Sequence, residues 1–350
     1  MNIIPTTFND KNKKRLAASL IENPVPAYTV VGGNEHRGSS GVSAILLNRG
    51  VRYPRRSLFY ELGKAGFDYV VSVEGPNEHY DLDELSRLFP FVRFILLSET
   101  VNIGEQINIA VSEIKSPLFF VLWNDLKILY GGTAAKIAER IVLPPEKVVH
   151  DNEKKRWYKR LCTIPVFQNP EFETLPTASG PLMIKKKFEI ARFSPGKEDM
   201  PSLYPYDAVG IYDRERFLDL GGFDTEIKSE HWQLLDFGFR AWLWGEQIRC
   251  TQLIRLRYEG FKKIEDTTYD ESYWHFFLKN LSPVLRCNTD TKELYAHLPL
   301  KNFFTFLFKA GQGPLNAAHY FLNARHWVYE HRLNWKTSAK ALTQEWKARE

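Results

Sequence analysis

Between residues 41 and 125, short aliphatic runs alternate with amphipathic helical stretches, and this alternation limits what the chain can become. GVSAILLNRG is a β-branched and aliphatic run closed by a polar turn. RSLFYELGKAG then sets Leu58, Phe59, Leu62 and Ala65 at helical spacing before a glycine stop. FDYVVSVEG, DLDELSRLF and VRFILLSE repeat the pattern as strand, helix and strand. EQINIAVSEIK follows, with Ile107, Ala110, Val111 and Ile114 along one side, and leads into the strand PLFFVLWND. Strands joined by helices of this length form a parallel sheet with right-handed crossovers. Ligands of such sheets bind beyond the carboxyl ends of the strands. Those ends carry Asn48 with Arg49, Glu74 with Gly75, Ser98 with Glu99, and Asn124 with Asp125. Each polar pair closes an apolar strand, as a nucleotide cleft requires.

The remaining chain divides around this block. Residues 1–38 read as a mixed N-terminal segment, with a short helix near Lys11 to Glu22 and an extended PVPAYTVVGG. From about 145 to 200 periodicity is lost in a Lys- and Pro-rich stretch. AVGIYDRERFLDLGGFD then reads as strand, short helix and glycine turn. HWQLLDFGFRAWLWGE follows as a helix with Leu235, Phe239, Trp242 and Leu243 at core spacing, and IRCTQLIRLRYEG as a strand. The expected organisation is one α/β domain over 39–265 and a helical, aromatic-rich extension over 266–350.

With 44% hydrophobic and 25% charged residues, the sequence has the means to bury a large core and none of the bias of a disordered chain. Three scattered cysteines without C-x-x-C spacing suggest neither a disulfide framework nor a zinc site, so a reducing cytoplasmic compartment fits. The sequence shows neither an ordinary export signal nor a spanning segment. A formal charge of +5 is spread along the chain without a nucleic-acid motif, so no nucleic acid is expected as a partner. The surplus reads either as solvated surface or as attraction for a nucleotide diphosphate, a phosphorylated acceptor or an acidic membrane.

The order of segments from roughly 40 to 265 resembles the GT-A glycosyltransferases, in particular inverting family-two enzymes and the polypeptide N-acetylgalactosaminyltransferases. VSAILLNRG sits where the family has its opening strand and Asn-Arg turn, with Leu47 in place of the usual proline. The resemblance puts Asn48 and Arg49 beside the nucleoside. VVSVEG matches the strand whose acidic end contacts the base, giving Glu74, with Val73 in place of a second acid. In VNIGEQINIAVSEIKSPLFFVLWNDLKIL, the residues Gly104, Asn108 and Asp125 fall on family positions. There Asn124 and Asp125 close the D-x-D signature while Trp123 replaces its first aspartate. The resemblance implies a nucleotide diphosphate sugar donor and Mg²⁺ or Mn²⁺ at Asp125, with the incomplete signature weakening the metal. Its strongest part is GGFD at 221–224 with LLDFGFRAWLWG at 234–245. The first assigns Gly222 and Asp224 to the sugar pocket. The second sets Asp236 and Arg240 one helical turn apart.

An inverting transfer needs a carboxylate to take the acceptor's proton. The resemblance implies Asp236, with Glu230 in reserve, and adds Asp207 as a sugar or acceptor contact. The expected activity moves a hexose-type unit to a hydroxyl of a glycan, lipid-linked sugar or protein. The rival is a GT-A-like scaffold that binds nucleotide or glycan without turnover. The crowded Phe303, Phe304, Phe306, Leu307 and Phe308 between Lys301 and Lys309 read either as core or as a peripheral membrane contact.

Overall fold

The computed structural model describes residues 26–35, 39–49, 55–76, 81–130, 133–141, 159–184, 187–260, 265–310 and 313–347. The helix expected near Lys11 to Glu22 lies outside them. The first half follows the sequence pattern. Strand β1 (Tyr28–Gly32) precedes β2 (Val42–Leu47), α1 (Arg55–Ala65), β3 (Val70–Glu74), α2 (Leu82–Leu88), β4 (Val92–Leu97), α3 (Ile103–Ser112) and β5 (Leu118–Trp123). Leu58, Phe59, Leu62, Ile107, Ala110, Val111 and Ile114 are buried, as their spacing predicts. Strand β6 (Leu126–Tyr130) and helix α4 (Ala134–Ile141) follow.

The stretch from 145 to 200, where the sequence shows no periodicity, contains three strands among its described residues: β7 (Lys159–Gln168), β8 (Ala178–Ile184) and β9 (Lys187–Phe193). β7 lies inside the main sheet between β10 (Gly210–Asp213) and β11 (Glu246–Tyr258). Its Pro165 hides it from a sequence reading, because proline cannot donate to a ladder. The chain accommodates it at a break in register, where Cys250 pairs with Ile164 but the next pair is Arg255 with Val166. After β10 come α5 (Arg214–Leu220) and α6 (Glu230–Trp244), and beyond β11 α7 (Glu271–Phe276) with a π-helical turn (Phe277–Leu281). The extension holds a hairpin of β12 (Val284–Cys287) and β13 (Leu294–His297), which the sequence does not announce. Helices α8 (Lys301–Ala310), α9 (Pro314–Glu330) and α10 (Ala339–Lys347) complete it.

The main sheet has the order β1-β4-β3-β2-β5-β10-β7-β11-β6. β2 to β5 are mutually parallel, as are β7 and β11, while β1, β10 and β6 pair antiparallel to their neighbours. Six of the nine strands therefore run one way, and helices flank them. Phe306, Trp335 and Trp346 of the extension belong to the same apolar core as β2 and β5. Helix α6 is buried from His231 to Leu243. A helix enclosed all round must satisfy its polar side chains internally. Its polar stripe, Gln233, Asp236 and Arg240, does so against α3, the Gly-Gly turn after α5 and Asn280 of the π-helical turn.

Candidate functional site

Beyond the carboxyl ends of β2 and β5 the structure gathers Arg49, Asn124, Asp125 and Asp207. The Arg49 guanidinium lies 4.0 Å over the Trp123 ring. Its Nη1 donates to Asp207 Oδ1 at 3.1 Å, Nη2 also bonds Asp207 Oδ2, and Nε is 3.1 Å from Asp125 Oδ2. Tyr258 OH donates to Asp207 Oδ2 at 2.7 Å. Asn124 Oδ1 accepts from the Arg49 N–H, and Asn48 Nδ2 donates to the Val73 carbonyl, so both fix the Asn-Arg turn. Burial pushes the carboxyls of Asp125 and Asp207 up against the opposing pull of Arg49, and the same carboxylates raise Arg49 despite its own burial.

Asp207 occupies a short turn with φ of 56°, followed by Ala208 at 57°. Left-handed backbone costs a non-glycine residue on the order of 1–2 kcal/mol. Buried donors hold both carbonyls: Trp123 Nε1 donates to Asp207 O at 2.9 Å and Tyr212 OH to Ala208 O at 2.6 Å. Trp123, which displaces the first D-x-D aspartate, thus supports the turn and cushions the guanidinium.

A cavity of about 330 Å³ opens against this cluster, with Arg49, Asp207 and Tyr258 on one side. Lys228, Glu230, His231 and Glu265 also line it. His231 Nδ1 lies 3.0 Å from Glu265 Oε2, and Arg192 pairs with the same carboxylate. Burial alone would raise Glu265, but hydrogen bonds from His231 and Arg192 hold it at about 2. Lys228, His231 and Glu265 carry no mark in the sequence reading as cavity residues. The consecutive Lys228, Ser229, Glu230 and His231 at the start of α6 are the signal that could have found two of them.

The other expected residues lie elsewhere. Leu46 pairs with Ser72 and Leu122, and Leu47 with Val73 and Trp123. Because side chains alternate along a strand, Glu74 shares a face with Ser72, whose Oγ donates to it at 2.7 Å, and Trp123 lies on the other. Glu74 is buried away from the Arg49 cluster. Asn108, Gly222, Asp224, Asp236 and Arg240 form a clasp beneath the cavity. Asn108 donates to Phe223 O at 2.8 Å and accepts from Phe223 N at 3.0 Å. Arg240 Nη1 and Nη2 donate to Leu220 O and Gly222 O, both at 2.8 Å, while its Nε bonds Asp236 Oδ2 at 2.7 Å. Asn280 Nδ2 holds the other Asp236 oxygen at 2.7 Å. Both Asp236 oxygens are engaged and the residue is fully enclosed. Asp224 pairs with the buried Lys279, which with Arg240 overcomes the effect of burial and keeps Asp224 at about 2.

No protein-family model matches the sequence, and no curated protein matches it. Among solved structures, GalNAc-T7 with UDP, GalNAc and Mn²⁺ aligns over 90% of this chain with a TM-score of 0.52 at 13% identity. The sheet order and this superposition agree. The chain has the GT-A fold. It spans 57% of the GalNAc-T7 chain. TarS from S. aureus aligns at a TM-score of 0.43 and 14% identity, covering 86% of this chain and 44% of that one. The mannosyltransferase PcManGT from Pyrobaculum calidifontis, with GDP-Man and Mn²⁺, aligns at 0.42 and 10%, covering 90% and 78%. The fold assignment rests on the first of the three.

A divalent cation of the kind held by two of those proteins takes about six oxygen donors. Here three of the four carboxylate oxygens of Asp125 and Asp207 already face Arg49, and Asp125 Oδ1 is left without a partner among the described residues. No group of three His, Cys, Asp or Glu that could hold a metal occurs among them. A cation at Asp125 would take the open Oδ1 and draw its remaining ligands from substrate phosphates and water.

Proposed function

We propose that this chain transfers a sugar, with inversion, from a nucleotide diphosphate sugar to a hydroxyl of a glycan, lipid-linked sugar or protein. One observation carries the reading: at the strand ends of a GT-A sheet, a cavity has a guanidinium on one side and an imidazole–carboxylate pair beside Glu230 lining it. Charge leaving with a nucleotide diphosphate needs preorganised positive groups. Arg49 has one N–H on each terminal nitrogen without a partner among the described residues, and Lys228 lines the same space. These two cations serve the diphosphate in place of a metal ion.

The acceptor's proton needs a base that reaches the cavity. Glu230 and His231 do, whereas Asp236 supports the helix that carries them. When Nδ1 of His231 donates to Glu265, Nε2 is the ring nitrogen left to accept a proton. We assign His231 as base, with Glu230 orienting the acceptor. A second reading, binding without turnover, is favoured by the carboxylates that Arg49 already neutralises.

Transfer assays across common nucleotide sugars, with and without a chelator, test both readings. Expected are a thermal shift with one nucleotide diphosphate sugar, turnover unchanged by chelator, and a loss of roughly 10² or more in turnover for His231→Asn with donor binding kept. Donor binding without turnover in the wild type selects the scaffold reading. Full activity in His231→Asn with loss in Glu230→Gln returns the base to Glu230.

A further inference from the structure

Helices α8 and α9 form a hairpin whose inner side is core. Phe306, Ala317, Phe321, Ala324 and Trp327 are buried, and the Phe303 and Phe321 rings sit 5.4 Å apart. Its outer side is not covered by the described residues. Leu300, Phe304 and Phe308 follow one another at i, i+4 spacing and are 56%, 62% and 83% exposed. Leu315, at the first turn of α9 across the hairpin tip, is 86% exposed, and Leu322 follows two turns later at 56%. Large apolar side chains this exposed, clustered rather than scattered, mark an interaction surface.

The charge pattern says what kind of surface. Positions 294 to 329 contain no aspartate or glutamate, while Lys301 and Arg325 fall among the exposed apolar residues. Glu330, paired with His326 at the end of α9, and Glu271, bonded to Tyr320, lie at the margin of this face. An apolar face whose own charges over 294–329 are all cationic matches an interface of anionic lipid headgroups over acyl chains. No helix among the described residues is long and apolar enough to cross a membrane, so contact is confined to the surface. We infer that the α8–α9 hairpin docks on an anionic lipid bilayer, with Phe304, Phe308 and Leu315 entering the headgroup region and Lys301 and Arg325 facing lipid phosphates. The hairpin is tied to the rim of the cavity. Tyr320 of α9 bonds Glu271, and the adjacent Asp270 lines the cavity. Docking therefore sets the cavity close to the bilayer. The inference is independent of the transferase reading.

Co-sedimentation of the full chain with phosphatidylcholine vesicles, pure or with about one-third phosphatidylglycerol, tests it. The wild type is expected to pellet with the mixed vesicles and to be released in part by salt. Phe304→Ser with Phe308→Ser is expected to lower vesicle-bound protein by about tenfold or more. Both side chains are exposed, so the melting temperature should stay put and confirm an intact fold. Lys301→Glu with Arg325→Glu is expected to abolish the preference for the anionic vesicles. A wild type that stays in the supernatant with both vesicles overturns the inference, as does a double serine variant that pellets like wild type. Gel filtration completes the test: a dimer broken by the serine variant, without vesicle binding, assigns the face to a second copy of this chain.

Discussion

Asp236 shows how a residue chosen for chemistry can be required for architecture. Its carboxylate accepts from Arg240 on one oxygen and Asn280 on the other, and no part of it reaches the cavity. Removing one charge of a buried pair leaves the other uncompensated, at a cost of about 3–5 kcal/mol. Asp236→Asn is accordingly expected to lower unfolding stability by about that amount in urea titration. Any loss of activity should follow the loss of folded protein. A variant of wild-type stability with abolished turnover would restore Asp236 to the reaction. The spacing of Asp236 and Arg240 was visible in the sequence, but spacing fixes only that two groups meet on a helix. That this face is sealed rather than open to the cavity depends on Asn280, Leu220 and Gly222, which arrive from other segments. For the same reason Arg49 could be placed at a strand end, whereas its partners Asp207 and Tyr258 could not be assigned to it.

At the scale of elements, the Gly-Gly-Phe-Asp turn is held by two side chains that imitate backbone. Asn108 of α3 forms a two-bond pair with Phe223. Gln233 of α6 donates to Asp224 O and Asn102 Oδ1 while accepting from Gly104 N. The turn locks α3 to α6 and so positions the start of α6, where Glu230 and His231 meet the cavity. Gly222 makes this possible, with φ of +67° and no room for a side chain, since a Cβ would stand 2.4 Å from Asn108 Oδ1. Gly222→Ala combines left-handed strain with overpacking and is expected to destabilise by about 2–4 kcal/mol. Urea unfolding checks the size, and an unaffected midpoint would show that the clasp is not tight. Strands β2 to β5 were legible because their apolar runs are uninterrupted between turn signals. β7 was not, because Pro165 contradicts a central strand until the register break against β11 is seen.

For the whole molecule, acid stability depends on groups buried where the extension meets the domain. His275 packs its ring 4.7 Å from that of Tyr320 and lies near Lys279. Burial, reinforced by the Lys279 ammonium, lowers its pKa from 6.5 to about 4. Between those values the unfolded chain binds a proton that the folded one refuses, so stability from the neutral ring is complete above about pH 6.5 and lost as pH falls towards 4. Other groups titrate across the same range. Asp224 and Glu265 lie near 2 and lose stability only in stronger acid, while Asp125, Asp207 and Asp236, raised by burial, work in the opposite direction. His297 and His331, also lowered by burial, shift in the same sense as His275. A difference between two proteins cancels all of these. His275→Gln removes the His275 titration alone and leaves the residues lining the cavity in place. The stability of wild type minus that of the variant is expected to fall by about 2–3 kcal/mol between pH 7 and pH 4, most of it below pH 6. Thermal melts of the two proteins at matched pH values read this directly. Curves that stay parallel over the range would mean that the ring takes up its proton as readily in the folded chain as in the unfolded one. The contact between α9 and α7 at His275 would then be open to water.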